Sequence, residues 1–246
     1  MQNRISQLLM SARATEHSYS DAVEQNYEDY PGCYPARSGA PEDVRVLPKS
    51  QVILRWVGSG RRVLDLGCNR GAIGELLRRQ RNEVIGVDFP LLVKDARITH
   101  GLPVVARDLN QPLPFRHERF DVVIASSVLD YIAGDLAFLR ECYRVLEPGG
   151  LLIVVVLNEF SLIKRIKTLL GHADRDFRHP GGFHNLNRYP LYGIQALIEL
   201  AGFRVTDRAK CPLLHPKLKA WGMVEQLLPA TFATDLAVKA IKPSKS

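Results

Sequence analysis

The chain has few cysteines and no long hydrophobic run. Only four of its 246 residues are cysteine, and their scattered positions argue against both a disulfide framework and a structural metal site. No apolar stretch approaches the roughly 20 residues of a membrane-spanning helix. The run Leu8-Leu9-Met10 is too short for the apolar core of a secretory signal peptide. We therefore expect a soluble, cytoplasmic protein with reduced thiols and no bound metal.

The sequence has fewer acidic than basic residues, and it has no recognised nucleic-acid-binding motif. The chain has 33 Lys and Arg against 26 Asp and Glu, which gives a net charge of +7. Such a charge permits attraction to carboxylates, phosphates or an anionic membrane surface. Without a recognition motif, however, no nucleic-acid partner is expected. The length and the lack of an obvious linker suit one α/β domain with appendages.

The stretch from Arg61 to Gly74, RRVLDLGCNRGAIG, predicts a buried strand, a glycine-rich turn and then a helix. Glycines allow a ligand to approach the backbone, and free N–H groups at the start of the helix offer donors. Asp65, at the end of the strand, can accept hydrogen bonds from a ligand. The turn has Asn69 where dinucleotide enzymes have their middle glycine. Asn tolerates the left-handed backbone that such a turn requires, but a diphosphate would fit less well above it.

Polar residues lie at or shortly after the ends of three further predicted strands. The strand 83–88 ends in Asp88, at about the distance from the glycine turn at which an acid binds ribose hydroxyls in nucleotide-binding folds. The strand 102–106 is followed by Asp108, and the strand 120–127 ends in Ser126 and Ser127. Because the carboxyl ends of neighbouring parallel strands form the ligand crevice, we expect these side chains to lie there.

The run from Val63 to Gly71, VLDLGCNRG, resembles the first motif of the class I S-adenosylmethionine-dependent methyltransferases, with Asn69 as a departure. The segment 139–150, LRECYRVLEPGG, is similar to small-molecule members of that family, although its own role is a helix stop and tight turn before a strand at 151–157. The resemblance implies S-adenosyl-L-methionine as the cofactor and a Rossmann-like methyltransferase fold. That fold is α/β and doubly wound, with a mostly parallel seven-stranded sheet and one antiparallel strand.

The resemblance also implies roles for individual residues. Asp88 is expected to bind the ribose, Phe89 to pack on the adenine, and Asp108 to accept from the adenine amine. The full set of expected cofactor-binding residues is Asp65, Gly67, Cys68, Asn69, Gly71, Asp88, Phe89, Asp108, Leu109 and Ser126.

The acceptor side is expected around an insertion at about 158–190. An amphipathic basic helix is predicted within 158–171, and the segment 161–190 has six basic and two acidic residues. This segment, with His184 before a helix at 191–201, resembles the subgroup related to methionine-biosynthesis and surface-polysaccharide methyltransferases. The charge predicts an anionic acceptor or peripheral contact with an anionic membrane, and the alternative is a solvated basic lid.

Three residues are candidates for a catalytic base. His184 would lie above the methyl group in the lid of the family, where it could remove a proton from a hydroxyl acceptor. The alternative is a loop histidine bonded to a backbone carbonyl. Asp130 and Tyr131 compete for the role from the other wall of the crevice. Tyr131 is a departure, because small-molecule members often have His after the acid.

The predicted organisation is an N-terminal cap at 1–48 and a methyltransferase domain at 49–246. The predicted function is methyl transfer to a small-molecule or lipid-linked acceptor. A non-catalytic S-adenosylmethionine-binding partner protein is one alternative. An NAD-dependent oxidoreductase is another, and Asn69 argues against it. Nucleic-acid amino-methylation is disfavoured because residues 125–128, ASSV, lack the Asn/Asp-Pro-Pro-aromatic motif.

Overall fold

The computed structural model describes residue 45 and residues 47–89, 101–158, 160–170, 187–211 and 233–244. Within these ranges the strands are β1 Arg62–Leu66, β2 Glu83–Asp88, β3 Val104–Ala106, β4 Phe120–Ser126, β5 Leu146–Leu157, β6 Arg204–Cys211 and β7 Asp235–Ile241. The helices are α1 Pro48–Val57, α2 Ala72–Arg79, α3 Asp135–Val145, α4 Leu162–Leu169 and α5 Leu191–Leu200, with a 3₁₀ turn at Leu129–Tyr131.

The strands form one seven-stranded sheet in the order β3-β2-β1-β4-β5-β7-β6. β1 to β5 are parallel to one another, whereas β7 pairs antiparallel with both β5 and β6. The predicted mostly parallel sheet with one reversed strand is therefore confirmed. The strand order reverses between β1 and β4, and in open α/β sheets the ligand crevice lies outside the carboxyl ends of the strands at such a point.

Helices cover both faces of the sheet. On one face α3 and α5 contribute Leu139, Ile194 and other buried side chains to the larger hydrophobic cluster. On the other face α1 and α2 contribute Ile53 and Leu77 to the second cluster. Residues 122–125 of β4 and 151–157 of β5 are continuous apolar runs because both faces of the central sheet are covered.

Helix α1 brings its N-terminus to the crevice. Its first turn contains Pro48, a residue favoured there because it needs no N–H partner. It ends at Gly58, which has a φ of 71° and donates its N–H to the Leu54 carbonyl at 3.2 Å. Lys49, in the first turn, contacts Ser127 directly after the last residue of β4. The start of α1 therefore lies at the carboxyl end of the sheet.

The segment 147–150 differs from the prediction. It was expected to be a turn before a strand at 151–157, but β5 begins at Leu146 and includes these residues as an irregular segment. Leu146 pairs with Phe120 and Leu151 with Val122, so the register shifts between the two pairs. The backbone of Lys242 explains the difference, since it accepts from the Gly149 N–H at 2.8 Å and donates to the Gly150 carbonyl at 2.9 Å.

Other bounds differ only at the ends of elements. β3 is shorter than the predicted 102–106. A strand is also predicted to start at 203–207, and β6 begins there at Arg204 and pairs with β7 along its length. The sequence also suits a helix at 91–100 and an excursion with one helix at 212–229. Both segments, and most of the N-terminal cap, lie outside the described residues. The boundary between cap and domain therefore stays a prediction.

Candidate cofactor site and acceptor crevice

Backbone hydrogen bonds hold the glycine-rich turn against the end of β2. The N–H groups of Gly67 and Cys68 donate to the Val87 carbonyl at 2.8 and 3.2 Å. The Asn69 N–H donates to Asp88 Oδ2 at 2.6 Å. The turn after β1 is thus built on β2, and this places the two predicted cofactor acids, Asp65 and Asp88, in one small region.

The turn uses left-handed backbone at three positions. Gly67, Asn69 and Gly71 have φ values of 69°, 48° and 82°, so the prediction that Asn69 tolerates this conformation is confirmed. At Gly67 an added Cβ would lie only 2.0 Å from Val128 Cγ2. Gly67 is therefore required both by its backbone conformation and by the close approach of the loop after β4.

Asp65 is a buried carboxylate that a cationic ligand would complete. Its side chain is only 3% exposed, and Oδ2 has no hydrogen-bond partner among the described residues. Burial, and secondly the negative charge of Asp88, raise the pKa of Asp65 to about 7. The ammonium group of the amino-acid part of S-adenosylmethionine would supply both the missing donor and the missing positive charge.

Asp88 both orders the turn and retains capacity for a ligand. Oδ2 accepts from the Asn69 N–H and Oδ1 accepts from the Phe89 N–H at 2.7 Å. Burial raises the pKa of Asp88 to about 6, although these two N–H groups act in the opposite direction. A carboxylate has about four acceptor positions. Two remain after these bonds, which fits the predicted contact with two ribose hydroxyls.

Cys68 contributes to the core rather than to the crevice. Its side chain is buried in the second hydrophobic cluster, and an added Cβ on Gly86 would lie 2.6 Å from its Sγ. Burial raises the pKa of the Cys68 thiol well above its usual value. Of the predicted cofactor contacts of Cys68, only those of its backbone are compatible with this packing.

Asp108 and Leu109 lie in the loop after β3. Asp108 Oδ1 accepts from the backbone and side-chain nitrogens of Asn110 at 2.9 and 3.0 Å. Asn110 Oδ1 in turn accepts from the Ala133 N–H at 2.9 Å, which ties this loop to the loop after β4. Leu109 packs partly buried against the larger core cluster. The second carboxylate oxygen of Asp108 is thus available for the predicted bond to the adenine amine.

The end of β4 brings Ser126 and Ser127 to the crevice, both partly buried. Ser126 pairs with Val155 of β5. Ser127 has a left-handed φ of 56°, and its N–H donates to the Val155 carbonyl at 2.8 Å. Its hydroxyl accepts a hydrogen bond from Lys49 Nζ at 3.0 Å.

The structure describes two of the three candidate bases. Asp130 and Tyr131 belong to the 3₁₀ turn, where Asp130 is fully buried and Tyr131 is partly buried. The Asp130 carbonyl accepts from the Asn187 N–H at 3.1 Å. His184 lies outside the described residues, so its role stays a prediction.

Three polar residues of the site were missed from the sequence: Lys49, Asn110 and Asp235. A signal existed for Lys49, because a basic residue in the first turn of a helix opposes the helix dipole and calls for an explanation. Asn110 follows Asp108 by two positions, where its N–H is expected to donate to the Asp108 side chain in a local turn. Asp235 has no local signal, since only the pairing of β7 with β5 brings it to this edge.

The described residues fit S-adenosylmethionine at the crevice. Asp65, Asp88 and Asp108 offer acceptors for its ammonium, ribose and adenine groups, and a glycine turn leaves room for its backbone contacts. In the described ranges no group of three or more His, Cys, Asp or Glu side chains could hold a metal ion. No helix in the described part of the chain is long and apolar enough to cross a membrane.

Known proteins share this sequence pattern. Residues 64–154 match a family model described as a methyltransferase domain. A ubiquinone biosynthesis O-methyltransferase from Cereibacter sphaeroides is 31% identical over 185 residues, which cover 71% of this chain and 72% of the relative. One of the same name from Dinoroseobacter shibae is 27% identical over 183 residues, covering 71% of this chain and 72% of the relative.

Solved structures share the fold. An S-adenosylmethionine-dependent methyltransferase from Thermotoga maritima superposes with a TM-score of 0.63 at 19% identity, covering 82% of this chain and 91% of that protein. Another from Archaeoglobus fulgidus has a TM-score of 0.61 at 21% identity, covering 83% of this chain and 95% of that protein. At this identity the likeness concerns the fold alone.

Proposed function

Since the chain belongs to the class I S-adenosylmethionine-dependent methyltransferases, we propose that it methylates a hydroxyl oxygen of a small, lipid-linked acceptor. It is an enzyme, and S-adenosylmethionine is its methyl donor. The oxygen specificity is supported by the relatives, which are named ubiquinone biosynthesis O-methyltransferases. Ubiquinone joins a quinone ring to a long apolar chain, and the reduced form of such a ring is a phenol, so an acceptor of this class is a phenol or catechol with an isoprenoid tail.

The donor supplies an electrophilic methyl group on a sulfonium centre. The residues of the chain then have the task of fixing donor and acceptor in line, from which much of the rate enhancement can come. Asp65, Asp88 and Asp108 would fix the three parts of the donor. A phenolic acceptor also loses a proton, and His184, Asp130 and Tyr131 stay the candidates for removing it.

The observation that carries the lipid-linked proposal is the exposed apolar side of α4. Leu169 is 85% exposed, Leu170 is 67% exposed and Ile166 is 47% exposed. Arg165, next to Ile166, is also exposed. A helix with apolar and basic side chains at its surface suits the boundary of an anionic membrane.

Helix α4 lies beside the crevice. It begins shortly after Asn158, a buried residue that follows the end of β5. The Asn158 side-chain nitrogen donates to the Ala233 carbonyl at 2.8 Å, and its N–H donates to the Thr234 carbonyl at the same distance. A lipid-linked acceptor bound at α4 could therefore extend its ring toward the carboxyl ends of β4 and β5.

The apolar contribution is tested with the double variant Leu169→Ser/Leu170→Ser. We expect it to raise the KM for an isoprenoid-linked catechol in vesicles by at least fivefold, and to leave the KM for a short water-soluble catechol unchanged. Leu200→Ser is the matched control, because Leu200 is 65% exposed on α5. Equal KM values for the double variant and wild type with both acceptors would contradict the lipid-linked proposal.

The basic contribution is tested by reversing Lys164, Arg165 and Lys167 to Glu. We expect weaker sedimentation with vesicles that contain anionic lipid, and no change in the affinity for S-adenosylhomocysteine. The control is Arg119→Glu/Arg204→Glu, whose exposed side chains flank the amino ends of β4 and β6. If sedimentation and acceptor KM are both unchanged in the triple variant, the anionic surface has no role.

Two finer expectations stay predictions. The relation to methionine-biosynthesis and surface-polysaccharide methyltransferases was based on the segment 158–203, and the curated relatives carry a different name. A cytoplasmic location is likewise a prediction. Fractionation of cells would test it together with the membrane proposal, because a peripheral protein is released from membranes by salt.

A further inference from the structure

Three side chains that are far apart in the sequence meet at the carboxyl end of β4. Lys49 Nζ, from the first turn of α1, donates to Ser127 Oγ at 3.0 Å. It also lies 3.8 Å from Oδ1 of Asp235, the first residue of β7. The cluster therefore joins a helix, the end of a parallel strand and the start of the reversed strand at the edge that holds the crevice.

Each member of this cluster has an unfavourable feature that a purely structural ion pair would not need. Lys49 places a positive charge at the N-terminus of a helix, where the dipole opposes it. Ser127 has the left-handed backbone that is uncommon for residues other than glycine. Asp235 Oδ1 is buried with no hydrogen bond among the described residues. Such features concentrate at functional sites.

Lys49 can still reach a ligand. Its ammonium group has three donors, and among the described residues only Ser127 accepts a hydrogen bond from it. Its side chain is 29% exposed, so the other donors are accessible from the crevice. The carboxyl groups of Asp65, Asp88 and Asp108 in the predicted donor site cannot donate to a negatively charged group, whereas the Lys49 ammonium group can.

We propose that Lys49 binds an anionic oxygen at the junction of donor and acceptor, and that Ser127 and Asp235 position its ammonium group. This inference rests on the proposed function and names a further binding residue for it. Two sources could supply such an oxygen. One is the carboxylate of the amino-acid part of S-adenosylmethionine, and the other is the ionised hydroxyl of a phenolic acceptor.

The test compares Lys49→Met with wild type in three measurements, which are the affinities for S-adenosylhomocysteine and for 5′-methylthioadenosine and the KM of a catechol acceptor. 5′-Methylthioadenosine keeps the nucleoside but lacks the amino acid. If the donor carboxylate is the ligand, we expect affinity for S-adenosylhomocysteine to fall at least tenfold while that for 5′-methylthioadenosine is unchanged. If the acceptor oxygen is the ligand, both affinities stay constant and the acceptor KM rises at least fivefold. Either selective pattern supports the proposal.

A variant that binds all three compounds like wild type, or that weakens the two nucleosides equally, would overturn it. Lys49→Arg should keep most of the affinity, because it retains the charge. Lys239→Met is the control for loss of a lysine, since Lys239 lies on β7 over the ring of Trp56. Absence of S-adenosylhomocysteine binding by wild type would instead contradict the enzyme's assigned cofactor, so the two failures are distinguishable.

The positioning role has a separate test. Asp235→Asn should change the same affinity or KM as Lys49→Met does, with about a third of the fold-change. The ammonium group loses a partner in this variant but remains present. Ser127→Ala should do the same. If Asp235→Asn lowers the thermal midpoint but leaves all three binding measurements unchanged, Asp235 is a structural partner of α1 and positions nothing for binding.

Discussion

The donor side and the acceptor side of this crevice are built in different ways. On the donor side the glycine turn and Asp88 belong to one β–α–β unit, and backbone N–H groups join them. Toward the acceptor side, at the junction of donor and acceptor, the cluster of Lys49, Ser127 and Asp235 comes from three distant segments and is joined by side chains. The donor side is thus specified locally, whereas the acceptor side depends on the completed sheet.

This difference indicates how well each side of the crevice tolerates amino-acid substitutions. A site made by close backbone contacts within one unit accepts few substitutions, as the 2.6 Å approach of Cys68 Sγ to a Cβ on Gly86 illustrates. A site made by side chains on separate segments can change one member at a time. We therefore expect substitutions on the donor side to have larger effects than those on the acceptor side, and three predictions test that order.

The largest effect is expected at Asp65. Because burial raises its folded-state pKa to about 7 from the usual 3.8, its contribution to stability is full below pH 4 and is lost as pH rises to 7. Asp65→Asn avoids this loss of stability, so the ligand-free variant should be more stable than wild type at pH 8, by up to about 4 kcal/mol. The two proteins should differ little at pH 4. Urea unfolding at both pH values measures this.

The same variant should bind S-adenosylhomocysteine more weakly, because the amide has no charge for the ammonium group. Asp207→Asn, on the exposed surface of β6, is the control and should change neither quantity. A variant less stable than wild type at pH 8 would show that the Asp65 carboxylate is favourable to folding, and the contrast between the two sides would lose its strongest support.

A smaller effect is expected at Asp88. Asp88→Ala removes the predicted ribose bonds and the acceptor of the Asn69 N–H. We expect affinity for S-adenosylhomocysteine to fall tenfold to a hundredfold, about 1–3 kcal/mol. Calorimetry measures this, and NAD serves as the comparison ligand. Wild-type affinity in Asp88→Ala would mean that the turn binds the cofactor without this carboxylate.

The smallest of the three effects is expected on the acceptor side, for the residue that removes the proton of the acceptor hydroxyl. His184→Ala and Asp130→Asn are compared by kcat at saturating cofactor from pH 6 to 9. For the true base we expect a loss of about tenfold and disappearance of the acidic limb of the pH profile, because that limb reports protonation of the base. If both variants keep the wild-type kcat and limb, catalysis relies on positioning alone.

The donor side was largely predictable from the sequence because its signals are local. The strand ends at Asp65 and Asp88 follow from short apolar runs and turn residues. The left-handed conformation of Asn69 follows from the known tolerance of that residue. The inward packing of Cys68 could not be read in this way, since it depends on the space left by Gly86 on the neighbouring strand.

The acceptor side was less predictable for a physical reason. Asp235 reaches the crevice only through the antiparallel register of β7. At the opposite edge of the sheet, the irregular start of β5 is likewise stabilised by a distant segment, the backbone of Lys242. Both interactions join segments that are remote in the chain, and residue periodicity contains no information about such pairs. The exposed apolar side of α4 was different, because its helical spacing was visible although its exposure was not.

The position of β7 also has a consequence for the order in which the strands can pair during synthesis. Asp235–Ile241 is the seventh strand in sequence, yet it lies between β5 and β6, and it is the partner through which β6 joins the sheet. A nascent chain that has already produced Arg204–Cys211 therefore holds two strands with open edges until Ile241 has left the ribosome. Such edges are templates for aggregation. The sheet is complete only when β7 has inserted between β5 and β6, and the chain is prone to aggregation until then.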